Sequence, residues 1–150
     1  MPYRRLTSER DRKRLALEHC RRVNAGDVAA ILELYGDDVA FADPVGWEPQ
    51  TGREALRAHF ERSVAGNLRE IPGEPVAGQD GAHTLIPISA VMDYFPLGPV
   101  FAGRGWLVPP ADPAGKGLRL TYMRLLRVDG AGLIREAQTF WGRSDIDVTG

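Results

Sequence analysis

An α+β fold, with helices gathered in the first half of the chain and a mostly antiparallel sheet in the second, is predicted by three observations. Apolar residues recur every three to four positions up to about residue 65 and at every second position beyond it. Eight of the 11 prolines lie beyond residue 70, where turns between strands would place them. The 17 glycines also exceed what a helical bundle ordinarily carries. A length of 150 residues suits one domain, spanning 1–150, with a full core.

Ser8 and Asp11 predict the start of a first helix, whose inner face is Leu15, Ala16, His19, Cys20 and Val23 and whose end is Gly26. Asp27 caps a short second helix with Val28, Ile31, Leu32 and Tyr35 inward, closed by Gly36-Asp37-Asp38. Val39 to Asp43 alternates as a strand that turns Val39, Phe41 and Asp43 to one face, and Pro44 stops it. Thr51-Gly52-Arg53-Glu54 reads as a capping box opening a third helix, with Ala55, Leu56, His59, Phe60 and Ser63 or Val64 inward.

A short strand then puts Leu68 and Glu70 on one face, and a slip of one residue would turn Arg69 inward instead. His83–Val91, Gly105–Val108, Leu118–Val128 and Leu133–Trp141 follow as strand candidates, the last two joined by the turn Asp129-Gly130-Ala131-Gly132. Phe95 to Gly103 is apolar but rich in Pro and Gly, which predicts a mobile loop, either pinned to the core or acting as a flap. Trp106 falls in the strand candidate beyond it.

A net charge of -1 provides no field to draw in nucleic acid or an anionic membrane. The single cysteine, Cys20, excludes an internal disulfide and a cysteine-rich metal site. Met1-Pro2-Tyr3-Arg4-Arg5 leads into charge rather than an apolar targeting segment, and no stretch is apolar enough to cross a bilayer, so a cytoplasmic protein is expected. No spacing of His19, His59 and His83 forms a metal site, and no phosphate loop or Ser-His-Asp arrangement is present, so no metal or cofactor is expected.

The chemistry rests on carboxylates. A carboxylate on an apolar face is costly unless it has a role, and Asp43 and Glu70 both fall on inward points of strands flanking the third helix. Two carboxyl groups in opposite protonation states can take a proton from a nucleophile and deliver one to a leaving oxygen, here with Asp43 as base and Glu70 as acid or the reverse. The plain alternatives are a solvated Asp-Pro turn and an edge-strand charge. Alternation also turns Arg124 inward with Leu120, Tyr122 and Leu126, so it needs a partner: Glu70, Asp43 or a substrate carboxylate. A bulge or a different register would instead leave it outside.

Asn24-Ala25-Gly26-Asp27, Leu34-Tyr35-Gly36-Asp37-Asp38, Asp43-Pro44-Val45-Gly46, Glu48-Pro49 and Gly130-Ala131-Gly132 resemble ketosteroid isomerase and its SnoaL-like, NTF2-like relatives. That resemblance implies a cone-shaped α+β barrel of three helices on a strongly curved sheet around a deep apolar pocket, and a homodimer. It puts the isomerase base at Asp43, but His19 and Arg124 stand where that chemistry has its tyrosine and protonated aspartate.

Arg21 to Gly26, Glu54 to Glu61, Glu74 to Asp80, Val91-Met92-Asp93-Tyr94 and Gly105-Trp106-Leu107 are similar to the polyether-pathway epoxide hydrolase/cyclases of the monensin and lasalocid type. This likeness implies an Asp43 and Glu70 catalytic pair and a cofactor-independent cyclase acting on a hydrophobic polyketide-like molecule. His19, by the isomerase register, with Tyr35, His59 and the inward-turned Arg124 are the candidate polar groups of the pocket, and Phe60, Met92, Tyr94, Trp106, Tyr122 and Trp141 are candidates for its wall, Phe60 and Trp141 being those the family register favours. The rival functions are a pyran-forming or pericyclic cyclase, an isomerase, and a non-catalytic binding module, since one scaffold hosts many activities.

Overall fold

A computed structural model describes residues 7–150, so the reading of Met1 to Arg5 lies outside the described residues. Helix α1 (Glu9–Ala25) begins where Ser8 accepts the Asp11 N–H at 3.0 Å, and ends at Gly26, whose φ of 69° is the left-handed turn that closes many helices. Asp27 likewise caps α2 (Val28–Leu32) through the Ala30 N–H. Strand β1 (Tyr35–Ala42) follows, then β2 (Gln50–Thr51), α3 (Arg53–Ala65), β3 (Arg69–Pro72) and β4 (Val76–Ala77). The two longest strands, β5 (His83–Asp93) and β6 (Gly117–Val128), flank helix α4 (Leu97–Gly103). Strand β7 (Ile134–Phe140), a 3-10 turn and β8 (Ile146–Thr149) complete the described chain.

The sheet has the order β2-β1-β7-β6-β5-β3, and among these pairs only β1 with β7 is parallel. The outer edge of β5 carries β3 and β4 in succession, and that of β6 carries β7 and β8. Alternation along β6 holds throughout, with Leu118, Leu120, Tyr122, Arg124, Leu126 and Val128 all buried. One part of the core packs Ala16 and Cys20 of α1 on Ile86, Ile88, Leu118 and Leu120. The other joins Val23, Ile31, Leu56 and Phe60 to Val39, Leu126 and Ile134. Each such large aliphatic side chain contributes about 1.5–3 kcal/mol by leaving water.

The architecture departs from expectation in several places. The sheet is open rather than a closed barrel, with β2 and β3 at its ends, and the described residues hold a fourth α-helix beyond the three expected in the first half of the chain. The fourth is the Pro/Gly-rich run: Pro96 precedes it and Pro99 falls in its first turn, where backbone N–H groups have no helical acceptor. Gly98 is required by packing, since a Cβ there would lie 2.5 Å from the Tyr94 ring. Residues 105–108 form a turn, not a strand, in which the Trp106 N–H returns to the Phe101 carbonyl at 2.9 Å. Thr51 pairs with Ala40 in β2 instead of capping α3, and Gly52 supplies the turn with φ 93° and no side-chain cap. Tyr35 opens β1 rather than ending α2, although it is buried as expected.

Candidate active site

A cavity of about 350 Å³ opens between α3, α4 and the inner face of β5 and β6, within the range of small-molecule pockets. Phe60, Met92, Tyr122 and Trp141 form part of its wall, together with Leu120 and Phe101. Two groups of polar side chains face it.

The first group gathers at the ends of β1 and β7. These strands run parallel with Ala42 opposite Gln138, so the residues just beyond them, Asp43 and Trp141, emerge side by side. The Trp141 indole N–H donates to Asp43 Oδ1 at 2.7 Å, and His59 Nε2 of α3 lies 3.2 Å from Asp43 Oδ2. Burial works to raise the Asp43 carboxyl, but the contacts to His59 and Trp141 outweigh it and hold the group below the usual carboxylate range. Asp43 is therefore an ionised proton acceptor at neutral pH, and its side chain keeps 26% of its exposure.

The second group lies deeper. Arg124 faces inward and grips Glu70 with both arms of its guanidinium, at 3.1 and 2.5 Å, and the Tyr122 hydroxyl donates to the same carboxylate. The Glu70 side chain is 0% exposed, behind the cavity wall to which Tyr122 and Arg124 belong. Burial, reinforced by the Glu70 charge, pushes the Tyr122 phenol well above its ordinary range, so it retains its proton. Burial opposes the Arg124 charge, but Glu70 more than offsets this.

Asn24 fixes this arrangement. Its side-chain oxygen accepts the Glu70 N–H at 2.6 Å and its amide donates to the Glu70 carbonyl at 2.7 Å, as a neighbouring strand would. Glu70, rather than Arg69, is thereby turned inward. Cys20 packs 3.9 Å from Arg124, and burial with the Glu70 charge raises its thiol to about 12, which leaves it unreactive.

The other expected pocket residues lie outside the wall. His19 is fully buried with its Nε2 against the Tyr35 hydroxyl, and both pack on the Phe60 ring; Tyr35 borders a small void it shares with Asp43, His59 and Arg124. Burial, then the Arg124 charge, pushes the His19 imidazole well below its ordinary range, so it is neutral. Tyr94 packs against Gly98, and Trp106 stands edge-on to Trp47 and Trp141 at 5.1 and 5.4 Å between ring centres. Sequence reasoning missed Trp47, Phe101, Arg62 and Arg104 in the wall. Arg62 carried a signal, since it lies one helical turn beyond His59. The wall thus combines an ionised carboxylate with a protonated phenol backed by an ion pair, on one apolar surface. Such a wall can offer one small molecule a proton acceptor and a proton donor.

Comparison with known proteins gives the family and the fold. The chain is 45% identical over 142 residues to the epoxide hydrolase LasB of Streptomyces lasalocidi, a match covering 93% of this chain and 50% of LasB. The chain therefore spans about half the length of that curated relative. Among solved structures it superposes on SalBIII, an epoxide hydrolase/cyclase-like enzyme with a role in pyran ring formation in the polyether salinomycin. The TM-score is 0.79 at 29% identity, over 93% of this chain and 96% of SalBIII. RV0760c from Mycobacterium tuberculosis, also solved with estradiol-17beta-hemisuccinate, shares the fold with a TM-score of 0.74 at 19% identity, over 93–95% of this chain and 98–99% of that one. Residues 16–137 match the SnoaL-like domain model, and the chain belongs to that family.

Proposed function

We propose that this protein is a polyketide-tailoring epoxide hydrolase/cyclase that closes a cyclic ether by acid/base catalysis, with Asp43 as the base. The observation that carries the reading is the pairing, on one apolar cavity, of an Asp43 held ionised with a Tyr122 phenol held protonated. The likeness to LasB and SalBIII supports the substrate class.

Asp43 takes the proton of a substrate hydroxyl as its oxygen bonds to an epoxide carbon. The epoxide C–O bond breaks, and its oxygen takes a proton from the donor end of the site. Tyr122 is the group there that reaches the cavity: its single O–H, which rests on the Glu70 carboxylate, turns to the epoxide oxygen and gives up its proton there, while Arg124 keeps Glu70 charge-balanced and offsets the charge that develops on the phenol. The proton on Asp43 returns to the phenol through solvent, and the product is an isomer carrying a ring ether and a new hydroxyl. His59 and Trp141 keep Asp43 aimed. Holding hydroxyl and epoxide together in the cavity replaces a bimolecular encounter.

The test is turnover of a hydroxy-epoxide in ¹⁸O-water. Ring closure by the internal hydroxyl gives an unlabelled isomer, whereas hydrolysis adds one label. Absence of any epoxide consumption refutes the proposal. The role of SalBIII in pyran ring formation favours a second reading, a pyran-forming cyclase, and turnover of a substrate lacking any epoxide would distinguish it from the first. A homodimer is also proposed, supported by exposed Ile71, Val91, Met123 and Phe140 on the outer sheet face, and gel filtration at micromolar concentration reads it.

A further inference from the structure

The mouth of the cavity carries charge that the acid/base chemistry does not use. Asp43 is the only carboxylate in the wall, whereas three arginines belong to it: Arg62, Arg104 and the Glu70-bound Arg124. Arg62 and Arg104 are exposed at the rim, and among the described residues neither has a carboxylate within ion-pair distance. Arg62 extends from the last turn of α3, and Arg104 stands at the C-terminal end of α4.

Arg104 is not a loose surface side chain. Its guanidinium lies over the Trp47 ring at 4.6 Å and the Trp106 ring at 5.0 Å, and Trp106 in turn meets Trp141, the residue that holds Asp43, edge to face. Contact with the two rings restrains the guanidinium, and its N–H groups have no partner among the described residues, so they remain available to receive a carboxylate with two parallel hydrogen bonds. A wholly apolar substrate has no use for two cations at the entrance, and an entrance with two cations that no carboxylate pairs attracts an anion.

We propose that the pocket takes an amphiphilic carboxylic acid, with its chain inside the cavity and its carboxylate held at the mouth by Arg104 and Arg62. This rests on the epoxide-opening reading for the reaction and adds to it the substrate's outer end. Anchoring that end fixes how far the chain enters, and so which hydroxyl and epoxide meet Asp43 and Tyr122. The two rim arginines are thus specificity residues that select ring size by register.

The test uses dodecanoate and methyl dodecanoate as probes, with binding measured calorimetrically at low and high salt. The acid is expected to bind about tenfold or more tightly than the ester at low salt, with the gap narrowing as salt is raised. The Arg62→Gln/Arg104→Gln variant loses this preference, while Asp43→Asn keeps it. Equal binding of acid and ester to the unmodified protein, or a preference that survives the double substitution, overturns the proposal. Turnover of a neutral hydroxy-epoxide ester is read in parallel. If the ester is closed without any preference for acids, only the carboxylate anchor falls; if the preference stands but no epoxide is ever opened, only the cyclase reading falls.

Discussion

Replacing Arg124 by methionine strands the Glu70 carboxylate in a place where its side chain has no exposure to water. Both carboxylate oxygens lose a guanidinium arm, and only the Tyr122 hydroxyl and the backbone grip of Asn24 remain nearby. An unpaired buried charge of this kind costs about 3–5 kcal/mol, a large share of the ~5–15 kcal/mol that holds a domain folded. With a urea dependence of about 2 kcal/mol per molar, the unfolding midpoint should fall by roughly 2 M. Glu70→Gln should be costly for the mirror reason, since it leaves the guanidinium without its counter-charge. The variant carrying both substitutions should recover most of the loss, with a coupling energy of about 2 kcal/mol or more. The assay is urea unfolding of the four proteins followed by tryptophan fluorescence. Single variants that each lose less than about 1 kcal/mol, or losses that simply add, refute the view that Glu70 and Arg124 form one buried unit.

Three further outcomes follow from the same geometry. His59→Phe removes a contact that lowers the Asp43 carboxyl and leaves burial to raise it, so the acid limb of kcat/KM for epoxide closure should move to higher pH; an unmoved limb contradicts the pairing. His19 is held below its unfolded value, near 6.5, so its contribution to stability is present above that pH and is lost as pH falls toward the folded value, by up to about 1.4 kcal/mol per unit. Urea unfolding of His19→Gln at pH 7 and pH 5 should show a flatter pH dependence than the unmodified protein, and parallel dependences count against a buried neutral imidazole. Asn24→Ala removes two hydrogen bonds to the Glu70 backbone and should cost about 1–3 kcal/mol, with Asn24→Gln failing to restore it. A cost within a few tenths of a kcal/mol means that β3 keeps its register unaided.

The elements were legible where periodicity and caps agreed. Ser8, Gly26 and Asp27 mark helix boundaries by local chemistry, and the alternation of β6 turns Arg124 inward, though only the observed register, without a bulge at that point, decides against the exposed alternative. Glu70 was legible only as a face of a short strand, because what settles its direction is Asn24, 46 residues earlier in the chain. The same limit hid the site's contacts. Periodicity puts His59 on the inner face of α3 and Asp43 at the end of β1, but their meeting depends on how α3 crosses the sheet. The partnership of Trp141 with Asp43 follows from the parallel pairing of β1 and β7, which no local pattern in either strand encodes. Helix α4 was misjudged for a different reason. Pro96, Gly98 and Pro99 read as breakers by composition, yet the prolines flank or occupy the first turn and the glycine admits the Tyr94 ring.

The central claim, that Asp43 is the base on a cavity whose donor end is Tyr122 over Glu70, is tested most directly by one rate. Single-turnover closure of a hydroxy-epoxide should slow by about 10²–10⁴-fold in Asp43→Asn, an isosteric change that retains the shape of the site. The urea midpoint of the variant should stay close to that of the unmodified protein, so that the loss is assigned to chemistry. An Asp43→Asn protein that folds normally and closes the ring at the unmodified rate contradicts the account.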